Sequence, residues 1–401
     1  MIYKQINCYI KYNQKMDIVS IVLFIVSALF NISGGVALSI SIIFWFTYFD
    51  HPFGIITLTT LTFMIVLIII TGAFIKSELW KINRNNGFLL LKMGVLNAIG
   101  GLLITYSSEP DRVPPVLQQF LINFIIFFSI IANKLILKDQ KKYLNIIPII
   151  SLMLIISGTI FYSATIFALG EIHQEWYTII IWSIVNLIGL FSMGLFGVYQ
   201  TLYIKDKIEN QEYTYIGSDN TIKKKLCHIL VMLTYSKMVQ SVIYILMYPV
   251  DFIPYLGHSN QDNFMDHFIE IFKCNFTLEC GMALVFYIIC VGGYMSYYLT
   301  NAYFNASSAP FSSMFSILIA PIVIIFWTCF PELDPNSNNV PIYAPIVSTT
   351  MNIMGMIIWK MWENYGGNSE EMIHDVKGYI YPKVVYICLI PYRIFSQKQT
   401  D

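Results

Sequence analysis

The chain has 401 residues, 56% of them hydrophobic and only 12% charged, with 24 basic and 24 acidic side chains that cancel. Soluble domains carry roughly 25% charge, so a water-soluble globule is excluded and lipid is the expected surrounding. No nucleic acid is expected as a partner of a chain without net charge.

Ten apolar stretches reach the roughly 17–25 residues that a helix needs to cross a bilayer. In chain order they lie near 18–42, 54–75, 88–107, 116–136, 144–166, 177–203, 227–249, 280–303, 311–330 and 343–361. Backbone in lipid must satisfy its own hydrogen bonds, which predicts helices. The closed-barrel alternative needs alternating strands of about ten residues, and nothing here alternates that way. Residues 1–17, with Lys4, Lys11 and Lys15, precede a stretch too long for a signal core, so the first helix is expected to be retained. Within the tail, 362–401, the apolar run from Tyr379 to Phe395 is broken by Pro382, Lys383 and Pro391 and is expected to lie on the membrane surface.

Under the ten-helix reading, 20 of the 24 basic residues fall on one side. They occupy the N-terminus, the loops around Lys76, Lys138 and Lys205, and the tail from Lys360 onward. The opposite side keeps only Arg112 and Lys273 and carries 12 acidic residues. Basic residues stay cytosolic, so both termini are expected in the cytosol. The acidic face reads either as ordinary loop solvation or as a mouth that concentrates cations. On that face, Cys274 and Cys280 close the long loop 250–279, where an oxidising lumen would let them pair. The sequon at Asn275 offers a glycosylation site beside them.

A repeat spans the midpoint. Residues 148–158 read PIISLMLIISG and 345–355 read PIVSTTMNIMG, an offset of 197. Further pairs follow in order: Pro114-Pro115 opens the fourth stretch as Pro310 opens the ninth, and Gly100-Gly101 in the third answers Gly292-Gly293 in the eighth. The expected fold is therefore an all-α polytopic membrane protein of two five-helix repeats, 18–166 and 177–361, joined with a cytosolic loop at 204–226. Five is odd, so the second copy enters the membrane inverted. Inverted repeats are a signature of secondary transporters, with the site between the halves near the midplane.

The segment YFNASSAPFSSMFSILIAPIVIIFW, 303–327, resembles the chloroquine-resistance-transporter-like family of the drug/metabolite transporter superfamily. The resemblance rests on Ser307-Ser308-Ala309, Ser312-Ser313 and Pro321, on Gln240 ahead of Pro249, and on Gln118 in PPVLQQFLIN. The two cysteines before the eighth helix also fit. The chain departs from the family pattern twice. Ile126-Phe127 stands where the family often has Ile-Pro, which implies a straighter fourth helix. Val198-Tyr199-Gln200-Thr201 stands where it often reads Val-Tyr-Lys-Glu, which removes the charges of a gating ion pair. The resemblance implies a vacuolar, lysosomal or plastid carrier of amino acids, short peptides, thiols or cationic drugs, with protons as a coupling partner in some members.

Intramembrane polar residues are the default site candidates. Lys237 lies near mid-bilayer and reads either as a cavity-facing cation that binds a carboxylate or gates the path, or as a lysine snorkelling to the cytosol. No acidic residue falls in any predicted core stretch, so its partner is not evident, and proton coupling would fall to edge groups such as Asp251. Lys92, close to a helix end, is expected to snorkel. Asn31, Gln118, Asn123, Tyr199, Gln240, Ser312 and Ser313 complete the pathway candidates. Asn31 precedes Gly34-Gly35, a weak point at which access could alternate. The Phe, Tyr and Met side chains are assigned to packing and lipid.

No phosphate loop, HExxH helix, G-x-S-x-G or paired Cys/His metal spacing is present, so neither enzyme chemistry, cofactor nor metal is expected. The resulting expectation is a carrier of small organic solutes across a vacuolar or lysosomal membrane, serving nutrient export and osmotic balance. A nucleotide-sugar or other organic-anion carrier of the same superfamily is the alternative, and a non-transporting receptor is the third reading.

Overall fold

A computed structural model describes residues 18–48, 52–75, 84–108, 112–113, 115–169, 176–209, 218–253, 282–330 and 341–367, with a few isolated positions between them. Eleven helices occupy them: α1 (Ile18–Tyr48), α2 (Pro52–Phe74), α3 (Arg84–Ser107), α4 (Pro115–Ile122), α5 (Phe124–Ile136), α6 (Ile146–Leu169), α7 (Trp176–Glu209), α8 (Ser218–Leu246), α9 (Ala283–Asn305), α10 (Ala309–Cys329) and α11 (Tyr343–Asn364). A short 3₁₀ turn, Tyr248–Phe252, follows α8. Among the described residues there is no strand. Seven segments are long and apolar enough to cross a membrane: 22–42, 56–74, 84–107, 146–165, 176–207, 225–246 and 283–305. Large apolar side chains such as Leu29, Ile69, Leu246 and Ile288 stand exposed on the outer faces, where lipid is their natural solvent.

One sequence expectation changes here. The predicted fourth helix is not straighter; it is divided at Asn123 into α4 and α5. The Phe120 carbonyl accepts from both the Asn123 backbone N–H at 3.3 Å and the Asn123 side-chain amide at 3.1 Å. Ile126 N–H then bonds back three residues to Asn123 at 3.2 Å, so the ladder tightens by one residue at this point. An asparagine thus interrupts the helix without the ring that a proline would bring. At Gly34-Gly35 helix α1 runs on unbroken, and both glycines are points of close contact with neighbouring helices.

Small residues set the closest approaches. A Cβ on Gly293 of α9 would sit 2.7 Å from the Gly34 carbonyl oxygen and 2.8 Å from the Leu38 nitrogen of α1. A Cβ on Gly189 of α7 would sit 3.2 Å from the Gly100 oxygen of α3, and one on Gly100 would sit 3.1 Å from the Gly189 oxygen. The two copies of the repeated motif face each other across α6 and α11. There Ser151 Oγ donates to the Gly355 carbonyl at 2.6 Å, and a Cβ on Gly158 would lie 3.1 Å from the Ser348 oxygen. Hydroxyl pairs tie α2 to α8 (Thr71 with Thr234, 2.9 Å) and α5 to α10 (Ser129 with Ser313, 2.9 Å). Packing of this kind suits lipid, where close backbone approach and interhelical hydrogen bonds hold helices together.

The helix ends carry their own punctuation. Ser308 caps α10, its hydroxyl accepting from Phe311 N–H at 3.3 Å, with Pro310 in the first turn. Pro321 lies inside α10 without ending it. Helix α11 closes on Gly366 and Gly367, whose φ of 63° and 79° only glycine adopts freely, and Gly367 N–H bonds back to the Trp362 carbonyl at 3.1 Å. Of the predicted link 204–226, helix α7 takes residues as far as Glu209 and α8 those from Ser218. Charged residues there prolong helices that the hydropathy pattern alone would end at the membrane edge.

Candidate functional site

Lys237 is fully enclosed, with 0% of its surface exposed. It lies twelve residues into the apolar segment 225–246 of α8 and nine before its end, which at 1.5 Å per residue is roughly 18 and 14 Å from the two ends. Its ammonium donates to Gln240 Oε1 at 2.7 Å, one turn along α8, and to the Tyr294 hydroxyl of α9 at 2.7 Å. Three rings surround it: Nζ is 3.5 Å from the centroid of Tyr298, 4.6 Å from that of Tyr294 and 5.5 Å from that of Phe63 on α2. Ring faces attract a desolvated cation by their quadrupole, and in a water-free site that attraction exceeds its exposed value. The lysine therefore does not snorkel; it sits in an aromatic cage.

The cage is held by a chain of amides. Asn97 of α3 donates to Gln240 Oε1 at 2.8 Å and accepts from the Tyr298 hydroxyl at 3.2 Å. Gln240 Nε2 donates to the Tyr244 hydroxyl at 2.9 Å. Space for that hydroxyl comes from Gly101, where a Cβ would lie only 2.5 Å from it. Helices α2, α3, α8 and α9 thus meet at one polar point inside an apolar bundle. Among the described residues, no carboxylate pairs with Lys237.

Polar clusters lie toward either end of α8. At its N-terminal end Lys225 Nζ donates to Ser307 Oγ at 3.4 Å. Nearby, the half-buried Lys141 and Lys360 approach the buried Glu363 at 3.4 and 3.6 Å, and Ser308 Oγ donates to the same carboxylate at 2.5 Å. Glu363 so joins α11 to the start of α10 and to the α5–α6 connection. In that connection Asp139 accepts from Tyr143 hydroxyl at 2.7 Å and from Lys141 N–H at 3.0 Å. Partial burial pushes the Asp139 carboxyl up, but those bonds and the charges of Lys141 and Lys205 outweigh it and hold the group below its ordinary value of 3.8. Tyr143, stacked on Trp359 and tilted against Trp362, is pushed well above the usual phenol range, first by burial and then by its bond to Asp139. Beyond the C-terminal end of α8, the buried Asp251 accepts from Tyr106 hydroxyl at 2.6 Å, and Arg112 lies 4.1 Å above the Trp182 ring while donating to the Tyr106 carbonyl at 2.9 Å.

Of the residues singled out in the sequence, the fold brings Lys237 and Gln240 together and distributes the others. Asn31 donates from α1 to Thr300 Oγ1 of α9 at 3.0 Å, beside the Gly34 contact. Gln118 donates to the carbonyls of Ser108 and Val113 at 2.9 and 2.7 Å, fixing the turn between α3 and α4. Asn123 makes the break between α4 and α5, and its Oδ1 accepts from Thr159 of α6 at 3.2 Å. Tyr199 is partly buried under Lys92, whose ammonium lies 5.7 Å from the Tyr199 centroid and 4.6 Å from that of Phe88. Ser312 bonds Asn301 of α9, and Ser313 bonds Ser129. Where the family pattern has charges, Gln200 and Thr201 both grip Asn305, at 2.7 and 2.5 Å, so neutral hydrogen bonds join α7 to α9. Cys274, Asn275 and Cys280 lie outside the described residues.

Sequence reasoning assigned the tyrosines to packing and so missed Tyr294 and Tyr298. Their spacing of four residues puts them on one helix face, and that face meets the lysine. Asn97 was one of many intramembrane amides, with nothing local to raise it above the rest.

These features define the chain as a helical, multi-pass integral membrane protein with a polar centre. No family model matches the chain, and no curated protein is detectably similar to it in sequence.

Proposed function

We propose that the chain is an alternating-access carrier built from two inverted five-helix repeats, moving small organic solutes across a vacuolar or lysosomal membrane. The observation that carries this reading is the exchange of contacts between the halves. Helix α1 packs on α9 while α7 packs on α3, so that the first helix of each half embraces the third span of the other. The Gly34–Gly293 and Gly189–Gly100 contacts are the counterparts that a two-fold relation calls for, and the α6–α11 contact is self-reciprocal at an offset of 197. The seven span-length helices, with α4 and α5 read as one broken span and α10 and α11 as the last two, complete a count of ten. With that count the basic residues gather on one side, which favours cytosolic termini.

A carrier of this design holds its site where the halves cross. Lys237 and its cage fit that position, with α2 and α3 contributed by the first half and α8 and α9 by the second. The vacuolar or lysosomal placement and the amino acid, peptide or organic-cation cargo rest on the resemblance in 303–327 alone. The buried lysine also favours the anion-carrying alternative, of which a nucleotide-sugar is the extreme case; a single cation is little for a diphosphate.

The test is uptake by purified full-length protein in proteoliposomes under an imposed pH gradient. Labelled basic amino acids, a short peptide, an organic cation and a nucleotide-sugar are compared with empty liposomes. Saturable uptake of an amino acid, peptide or cation is expected. Uptake of none of the four would overturn the carrier reading.

A further inference from the structure

From the surroundings of Lys237 we infer that the transported solute carries a carboxylate, and that this carboxylate is the counter-ion the lysine lacks. The inference rests on the carrier reading and narrows its cargo. An ammonium has three N–H bonds to donate. Here two meet neutral acceptors, Gln240 Oε1 and Tyr294 Oη, and the remaining contact is the Tyr298 ring. Neutral acceptors and ring faces solvate a cation without cancelling its charge. A buried ammonium without an anion is costly, and a hydrogen-bonded anion offsets part of that cost.

Among the described residues the protein supplies no anion to the cage. Helices α2 and α9 contain no acidic or basic residue, and α3 contains only Arg84 and Lys92. Lys92 is turned to Phe88 and Tyr199. A lone positive charge in a neutral cage matches a monoanion. A phosphate or diphosphate carries more charge than one lysine offsets and would call for a second cation, and among the described residues none stands beside Lys237 in the cage. A simple organic cation meets repulsion from Lys237, since the rings that could hold it are already occupied by the ammonium. Amino acids and peptides satisfy the lysine through their carboxylate, whatever the side chain.

The experiment uses pairs that differ only in the carboxylate: lysine with cadaverine, and leucine with isoamylamine. Inorganic phosphate and a nucleotide-sugar serve as the other anions. Uptake into proteoliposomes is measured alongside the thermal shift each solute gives the purified protein in detergent. Two variants accompany the wild type. Lys237→Met removes the charge. Gln240→Glu places a fixed carboxylate at the position that now lies 2.7 Å from Nζ; its second oxygen can accept from the Tyr244 hydroxyl, which rotates to donate. The expected result is uptake of the acids and not the amines, with affinity for the acids falling roughly 30-fold or more in both variants. Gln240→Glu should melt at or above the wild-type temperature, which shows that its loss of binding is not unfolding.

Amines carried as well as the acids, or normal affinity for the acids in Gln240→Glu, would overturn the inference and leave the carrier reading intact. Uptake of phosphate or the nucleotide-sugar alone would overturn the carboxylate in favour of a phosphoryl group. Thermal shifts with the acids that depend on Lys237, without uptake of any solute, would keep the binding site and overturn the carrier.

Discussion

The contact between α1 and α9 gives a sharp test of how this bundle is held. Gly293→Ala adds one Cβ at 2.7 Å from the Gly34 oxygen and 2.8 Å from the Leu38 nitrogen, where ordinary contact begins at 3.4 Å. Both are backbone atoms, so no side chain can turn aside and the helices must part by about 0.6 Å or more. Overpacking of this kind costs about 1–3 kcal/mol. Two hydrogen bonds across the same seam are stretched with it: Ser296 Oγ to the Phe30 carbonyl at 2.8 Å and Asn31 Nδ2 to Thr300 Oγ1 at 3.0 Å. Each is worth roughly 0.6 kcal/mol in a membrane bundle. Alanine recovers about 0.5–1 kcal/mol of helix propensity, which leaves a net loss of about 1–3 kcal/mol. The neighbouring Gly292 is the control, because a Cβ there meets nothing within 4 Å. Gly292→Ala should be neutral or stabilising by up to about 1 kcal/mol. Thermal unfolding of the purified proteins, followed by size-exclusion chromatography of the surviving monodisperse fraction, reads both. A Gly293→Ala protein as stable as wild type, or a Gly292→Ala protein that is the weaker of the two, would refute close backbone approach as the basis of this seam.

The two copies of the repeat motif should respond unequally to the same change. Ser151→Ala deletes a bond to the Gly355 carbonyl and should cost about 1 kcal/mol in thermal unfolding, whereas the matching Ser348 hydroxyl is buried without a partner, so Ser348→Ala should cost nothing or stabilise; equal losses would sink the assignment. Asp139 has a folded value held below the ordinary 3.8, so its contribution is present above that value and fades as pH falls through the lower, folded one. Asp139→Asn should therefore melt below wild type from pH 5 to 7, and the two curves should converge below about pH 4; a gap that widens on acidification contradicts the sign. Asn123→Leu should restore a continuous fourth span, leave the helix content of circular dichroism equal or higher, and reduce uptake if the break lets α4 move against α5; full activity would show the break to be passive.

How much of this was legible beforehand depends on the range of the signal. Spans are local in sequence, and hydropathy located a helix at each predicted position. The repeat at 148–158 and 345–355 pointed to α6 and α11, and the structure brings these two segments face to face. Lys237 stood out because a charge in an apolar stretch is locally anomalous. Its cage did not, because Phe63, Asn97, Tyr294 and Tyr298 come from three other helices and each is ordinary where it stands. The break at Asn123 was missed for a different reason. The absence of a proline was taken to imply a straighter helix, whereas an asparagine amide competing for the Phe120 carbonyl interrupts it. The cluster at Glu363 was hidden because Ser308 was read as part of the motif in 303–327 and Lys141 and Lys360 as topology markers.

The partnerships of the helices also say something about how the chain is made. Its closest seams, α1 with α9, α3 with α7 and α6 with α11, all join a helix from before residue 170 to one from after it. Gly34 and Gly100 therefore have no partner when they leave the ribosome. The helices before residue 170 must wait in the bilayer until their partners after it arrive. Assembly is a late event, and the early spans are clients for whatever shields incomplete bundles during synthesis. It follows that 1–175 and 176–401, produced as separate polypeptides in one cell, should each be degraded alone and persist together.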